Sequence, residues 1–276
     1  MNHADDQALV EDNLSMESGA HPVPSWKRAL DIGCILVALP VVAPLMLLVA
    51  IVVKMGSTGP VLFCQERVGY LGRRFKFFKF RTMLVNADTT VHKGHCSRLI
   101  SSNLPMVKMD LEGDPRVIPF GCWLRASGLD ELPQIFNVLR NQMSLVGPRP
   151  CMQYEYDHYL PWHRERFRTL PGLTGLWQVS GKNKTTFDEM VRLDIYYSRN
   201  KSLWLDAKII LRTVPVLLTE VLERRRKMKA KMKASMGSRA AVLDYHAQAQ
   251  PPPSSAKEST PPLSKPVENY VVQEGA

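Results

Sequence analysis

Apolar positions are spread unevenly along this chain. Residues 29–53, ALDIGCILVALPVVAPLMLLVAIVV, contain one charge, Asp31. About 20 helical residues cover the hydrocarbon core of a bilayer, so the stretch is predicted to be a membrane helix. Pro40 and Pro44 fall in its middle. Each removes a backbone donor and crowds the preceding turn, which predicts a bend. Lys27 and Arg28 precede the segment; Lys54, Arg67, Arg73 and Arg74 follow it. Positive flanks stay on the cytoplasmic side, so two positive flanks suit a segment that enters and returns on one face. A tilted spanning helix with a proline kink has the same composition, and the residues alone leave both readings open.

Beyond this segment the pattern changes. GPVLFCQERVGYLGRRFKFFKFRTM has two β-prone runs around a glycine-containing turn, which predicts a hairpin. Phe75, Phe77, Phe78 and Phe80 interleave with Arg74, Lys76, Lys79 and Arg81. The alternation reads as a half-buried strand with its cations outward, in preference to a base-stacking surface. Lys79 and Arg81 remain candidates to face a phosphate. Residues 83–114 are polar and read as an irregular loop. In TTFDEMVRLDIYYSRN, Thr186 followed three residues later by Glu189 is a capping box, so a helix begins there. Its apolar face takes Met190, Val191 and Ile195, and Asp194 falls on the same face. A carboxylate in that position needs a donor or a cation, as a structural ion pair or as part of a site. LWLDAKIILRTVPVLLTEVLE reads equally as an interfacial amphipathic helix or as a core helix interrupted at Pro215. PPPSSAKESTPP is linker material.

These elements describe a mainly helical α+β protein, monotopic in the re-entrant reading, with a hairpin and interfacial amphipathic helices. Its parts are an acidic arm read as disordered (1–24), the membrane segment (25–54), a catalytic-size domain (55–222) and a flexible basic, then Pro/Ser-rich tail (223–276).

Charge refines the picture. The chain has 276 residues and a formal net charge of +10. Arg224, Arg225, Arg226, Lys227, Lys229, Lys231, Lys233 and Arg239 account for most of the surplus, with no acid among residues 224–239. A short basic block beside apolar sequence fits anionic lipid headgroups better than a nucleic-acid groove. The five cysteines, Cys34, Cys64, Cys96, Cys122 and Cys151, form no CxxC pair, which argues against a disulfide framework or a zinc cage. The acidic amino-terminal residues and late apolar run are unlike a cleaved signal peptide.

The candidate chemistry lies in SGLDELPQIFNVLRNQMSLVGPRP, residues 127–150, where the carboxylates Asp130 and Glu131 are adjacent. Ser127 and Asp130 match a capping box, which is a purely structural reading. Pro133 would be too deep for a helix capped by Ser127, whereas a cap at Asp130 places it in the first turn, where no donor is missed. A helix mouth lowers the cost of negative charge and attracts phosphate, and an ionised aspartate is a competent nucleophile. Mg²⁺ reconciles two neighbouring carboxylates with an anionic substrate, since it binds one or two of them together with phosphates. Arg125 and Arg149 can hold phosphate oxygens by forked hydrogen bonds, with Pro148 and Pro150 restricting the backbone around Arg149. On these grounds phosphate chemistry and a capped structural helix stand level.

From residue 27 to about residue 218 the chain resembles the bacterial sugar transferases, the monotopic polyprenyl-phosphate phosphoglycosyl transferases. The matching pieces are KRALDIG, the Pro44 region, GPVLFCQERVG, FKFRTM, LRASGLDELPQIFNVLRNQMSLVGPRP, PGLTGLWQVSGKN and LDIYY. The resemblance implies a re-entrant helix bent at Pro40 and Pro44, with the active site on the cytoplasmic face of the bacterial inner membrane. It also implies that Asp130 attacks the sugar-bearing phosphorus of a UDP-sugar, releasing UMP, and that polyprenyl (undecaprenyl) phosphate then takes the phosphosugar to initiate a surface polysaccharide. Glu131 matches the second position of the catalytic dyad and would help bind Mg²⁺. Arg125 and Arg149 match phosphate-contacting positions, and Asp194 matches a carboxylate of the LDxYY motif. Ala43 stands where some small members have a serine before the bend proline, and the segment from about residue 223 lies beyond the resemblance. Two other readings are a glycosyltransferase that moves the sugar without its phosphate and a non-catalytic membrane scaffold. The sequence assigns no nucleic-acid partner. It leaves open a homodimer, downstream glycosyltransferases and the identity of the sugar.

Overall fold

Helix α1, Ser25–Gly56, corresponds to the apolar segment. It is seen in a computed structural model that describes residues 23–86, 90–106, 114–181 and 184–248. The acidic arm up to residue 22 and the Pro/Ser-rich stretch after residue 248 lie outside the described residues. Pro40 and Pro44 stand inside one unbroken helix. Lys27, Asp31, Ile35, Val49 and Val53 are buried, with Val42 and Met46 packed between them. The spacing of three, four or seven residues marks a single stripe along the helix. Leu36, Val37, Val41, Leu47 and Leu48 point away from that stripe and are exposed.

Both ends of α1 are tied to the same body by polar contacts. At its start, Lys27 Nζ donates to the Val146 carbonyl (2.9 Å), the Tyr197 hydroxyl (2.7 Å) and Asp206 Oδ2 (2.6 Å), using all three donors of the ammonium. Asp31 accepts from Ser144 Oγ and from the Leu145 amide, each at 2.9 Å. Beyond its other end, the Arg81 guanidinium donates to the carbonyls of Ser57 (3.0 Å) and Thr58 (2.5 Å). These contacts put residues of KRALDIG and LDIYY together, although Lys27 and Asp206 are separated by 179 positions.

Strands β1, Leu62–Val68, and β2, Arg74–Phe80, form the predicted antiparallel hairpin, with Cys64 opposite Phe78. Phe77 and Phe80 are buried against α1, as a half-buried strand requires. Helix α2, Thr90–Ser101, corrects the reading of residues 83–114 as wholly irregular. Threonine, histidine and glycine weaken its local signal, while burial of Leu99 and packing of Ile100 on the main core supply tertiary support. There follow α3, Gly121–Ser127, a 3₁₀ turn, Leu129–Gln134, and α4, Ile135–Leu139. Strand β3, Ser144–Val146, pairs in parallel with β4, Gly172–Thr174. Between them lie α5, Gln153–Tyr156, and the 3₁₀ segment Pro161–Arg168; α6, Leu176–Val179, comes after.

Helix α7, Phe187–Asn200, has the capping box expected at Thr186 and Glu189. Its Phe187, Met190 and Val191 join Tyr156, Tyr159, Phe167 and Trp177 in the largest core cluster. Helix α8, Leu203–Gln248, has Asp206 and Ile209 buried near its start and Leu211, Val214, Leu218 and Leu222 exposed farther on. The core reading describes its start, and the exposed leucines and valine lie farther on. The helix passes through Pro215 and continues beyond residue 222, where a flexible tail was expected; arginine, lysine, methionine and alanine are good helix formers. Residues Met1–Arg226 make one unit of the chain and Lys227–Ala276 another. The described architecture is mainly helical, with two small two-stranded sheets.

Candidate active site

The adjacent carboxylates stand in a short turn enclosed by packing. Arg125 is in the last turn of α3, and Gly128 follows with φ 73°, a left-handed conformation that glycine adopts without strain. The chain then enters the 3₁₀ turn with Asp130 and Glu131 in its first turn. Gly128 thus occupies the cap position expected for Asp130, and the Ser127 hydroxyl donates back to the Trp123 and Leu124 carbonyls instead of capping forward. Pro133 still falls early enough for its missing donor to be tolerated. Leu129 and Leu132 pack on the Val53 and Leu124 cluster, which fixes the turn against α1. Asp130 is 6% exposed, and Glu131 is half-buried.

Asn137 fixes the following helix to the hairpin. Its Nδ2 donates to the Lys76 carbonyl (2.6 Å), and its Oδ1 accepts from the Phe78 amide (3.2 Å). Lys79, next along β2, is thereby set in the field of Asp130 and Glu131, with Arg67 and Arg125 as like-charged neighbours. Burial, reinforced by Arg67, brings the Lys79 ammonium down to about 8, against the pull of the two carboxylates.

Arg149 meets the second carboxylate. Its guanidinium lies 3.4 Å from Glu131 Oε1, and both side chains are about one-third exposed. A long, half-solvated ion pair is weak, so phosphate oxygens can take its place. The segment that carries Arg149 is held closely. Gly147 N donates to the Thr174 carbonyl and Gly172 N to the Pro148 carbonyl, each at 2.9 Å. A Cβ on Gly147 would come within 2.2 Å of the Leu170 carbonyl oxygen, so only glycine permits this approach of PGLTG to GPRP. Pro148 and Pro150 are buried on either side of Arg149.

Three residues that the sequence reading did not single out as functional belong to these surroundings. Arg67, 6% exposed, has a buried Nε with no hydrogen-bond partner and is a charge neighbour of both Lys79 and Arg149. Gln134 has a buried Nε2 donor without a partner, four residues after Asp130. Arg166 is fully buried and joins Asp194 to the Arg149 carbonyl. Arg67 sits in QERVG beside an acid, and Arg166 is one of three arginines in WHRERFR, so neither spacing announced its burial.

The structure thus gathers Asp130, Glu131, Arg149 and Lys79, with Arg125 as a charge neighbour. Asp194 is the ion-pair partner of Arg166. Arg81 is committed to the exit of α1, and Pro40 and Pro44 are in the exposed middle of that helix. Cys151 is buried and its thiol is pushed up to about 12 by that burial, which leaves it a poor nucleophile. Two carboxylates among four cations form a setting suited to an anionic substrate. The described residues hold no cluster of three or more potential metal-ligating side chains. The Asp130 and Glu131 pair fits a metal that takes its remaining oxygens from phosphates and water, as Mg²⁺ does, and not an all-protein cage.

Comparison with known proteins identifies the family. A family model described as "Bacterial sugar transferase" matches residues 23–220. The galactosyl transferase CpsE of Streptococcus agalactiae is 45% identical over 161 residues, 58% of this chain and 35% of that protein. The exopolysaccharide production protein ExoY of Sinorhizobium fredii is 38% identical over 191 residues, 69% of this chain and 84% of that protein. The UDP-glucose:undecaprenyl-phosphate glucose-1-phosphate transferase of Caulobacter vibrioides is 43% identical over 201 residues, 70% of each. The match therefore spans about a third of one relative and most of the other two.

Proposed function

This chain belongs to the bacterial sugar transferase family, and from that premise we propose that it moves a sugar-1-phosphate from a UDP-sugar to polyprenyl phosphate. The observation that best supports this reading is the placement of Asp130, buried beside Glu131, with Lys79 in the field of both carboxylates and Arg149 against Glu131. In the first step an Asp130 carboxylate oxygen attacks the phosphorus that bears the sugar. The bond from that phosphorus to the bridging oxygen breaks, UMP leaves, and the phosphosugar is held as an acyl phosphate. In the second step a phosphate oxygen of the lipid carrier attacks the same phosphorus, gives a polyprenyl diphosphate sugar and restores the carboxylate.

The cations have distinct tasks. Arg149 exchanges its weak contact with Glu131 for substrate oxygens, and Lys79 opposes the charge that develops next to Asp130. Arg125 and Arg67 add positive potential that draws in the diphosphate. Asp130 and Glu131 would hold Mg²⁺, which when bound neutralises phosphate oxygens.

The proposed membrane placement rests on α1. Lys27 and Asp31 near one end and Arg81 beyond the other grip the same body, while the middle of the helix offers apolar side chains outward. A crossing helix would separate its ends by about 30 Å of hydrocarbon. The shared attachment supports a re-entrant helix with the active site at the cytoplasmic face of the inner membrane. The relatives' names refer to galactosyl, glucose-1-phosphate and exopolysaccharide chemistry, so the proposed donor is a UDP-hexose and the proposed role is to start a surface polysaccharide.

The direct test offers the purified chain a panel of UDP-sugars with undecaprenyl phosphate and Mg²⁺. UMP release with one sugar is expected. UDP release would identify a glycosyltransferase that leaves the phosphate behind, and no turnover with any sugar would favour a scaffold.

A further inference from the structure

Residues 144–149 have an unusual concentration of tethers. Ser144 N donates to the Pro171 carbonyl (2.8 Å), the Leu145 amide donates to Asp31, and the Val146 carbonyl accepts from Lys27. Gly147 and Pro148 are paired with β4 and its approach. The last tether falls on Arg149 itself, where Arg166 Nη2 donates to the backbone carbonyl at 3.0 Å.

Arg166 is held in turn by its surroundings. The same Nη2 is bonded to Asp194, Nη1 donates to the Tyr159 hydroxyl at 2.9 Å, and the guanidinium lies over the rings of Tyr159 and Phe167. Arg166 is 1% exposed and Asp194 2%. A guanidinium held through both Nη atoms and by ring faces is rigid, and a lysine could not reproduce the contacts. Removing two charges from water is costly, and an apolar pair would fill the volume as well. The pair delivers something that an apolar pair could not, a donor at the carbonyl of the residue whose side chain meets Glu131.

We propose that Arg166, balanced by Asp194, is a positioning residue that sets the backbone of Arg149 and so aims its guanidinium at the substrate diphosphate. The proposal deepens the function proposed above and rests on it for the identity of that ligand. Phe167, Tyr159 and Phe187 make the pocket dry enough to keep the pair from being displaced by water.

The test is a double-mutant cycle on the full chain in nanodiscs, read both as kcat/KM for UMP release and as calorimetric affinity for UDP. Arg166→Lys keeps the charge and loses the fork, Asp194→Asn keeps the shape and loses the charge, and Arg149→Ala removes the residue being aimed. Each of Arg166→Lys and Arg149→Ala is expected to weaken UDP binding about tenfold, and their combination to be no worse than Arg149→Ala alone. Multiplying losses in the combined variant would overturn the proposal, because a purely structural Arg166 harms binding whether or not Arg149 is present. Asp194→Asn is expected to follow Arg166→Lys, and a wild-type affinity in that variant would also overturn it. Thermal unfolding of each variant identifies any that fails to fold; for those, Arg166→Gln repeats the cycle. If UDP binding shows the non-additive pattern while no UDP-sugar yields UMP, the positioning role stands and the proposed reaction falls. Wild-type chain that does not bind UDP would remove both.

Discussion

At the residue scale, the site separates a nucleophile from its electrostatic support. In the proposed reaction Asp130 supplies the oxygen that bonds to phosphorus, so Asp130→Asn should lower UMP release by about 10⁴-fold or more while the protein stays in the membrane fraction. Residual activity within tenfold of wild type would exclude the covalent role. Lys79 gives a different signature. Desolvation of this half-buried side chain brings its ammonium down to about 8, below the ordinary lysine value, so it is charged below that pH and neutral above. A neutral amine no longer attracts phosphate, and kcat/KM, which reports groups of the free enzyme, should fall as pH rises through 8. Lys79→Arg keeps its charge throughout and should lack that alkaline limb. An unchanged profile in that variant would show that another group is responsible.

At the scale of elements, the fold links α1 to the segment that carries Arg149 through buried charge. Lys27 on α1, Asp206 on α8 and Tyr197 on α7 meet at the carbonyl of Val146, three residues before Arg149. Asp206→Asn would leave the Lys27 ammonium without its anion and should destabilise the protein by about 3–5 kcal/mol, measured by denaturant unfolding in detergent. A loss below about 1 kcal/mol would show that the pair is not structural. The elements that were legible in the sequence are those with local causes. The hairpin follows from β-prone runs around a turn, and α7 from Thr186 and Glu189 three residues apart. The apolar length of α1 was equally plain. Helix α2 was hidden because its support comes from Leu99 and Ile100 packing on distant residues. The same limit applies to the site. Asp130, Glu131 and Arg149 belong to one short motif, but the buried roles of Arg67 and Arg166 depend on partners brought in by tertiary folding, and the left-handed cap was signalled only by Gly128 itself, which a capping-box reading of SGLD passes over.

At the scale of the whole molecule, the two attachments of α1 to one body and its outward apolar middle underlie the proposal that the protein dips into a leaflet and comes out on the same side. Epitope tags placed before residue 23 and within residues 57–59 should both be reachable only from the cytoplasmic side of spheroplast-derived vesicles. Labelling of the two tags from opposite sides would establish a crossing helix. Such a placement would set Asp130 near the headgroups, where a soluble nucleotide sugar and a lipid phosphate can both arrive. That arrangement suits a two-step displacement, since the phosphosugar is held on the protein between one substrate and the next. The most direct measurement is intact-peptide mass spectrometry on chain quenched with its preferred UDP-sugar in the absence of lipid acceptor. The account predicts a phosphohexose adduct on the peptide containing Asp130, discharged when undecaprenyl phosphate is added. Steady product formation with no adduct on that peptide at any quench time would contradict it.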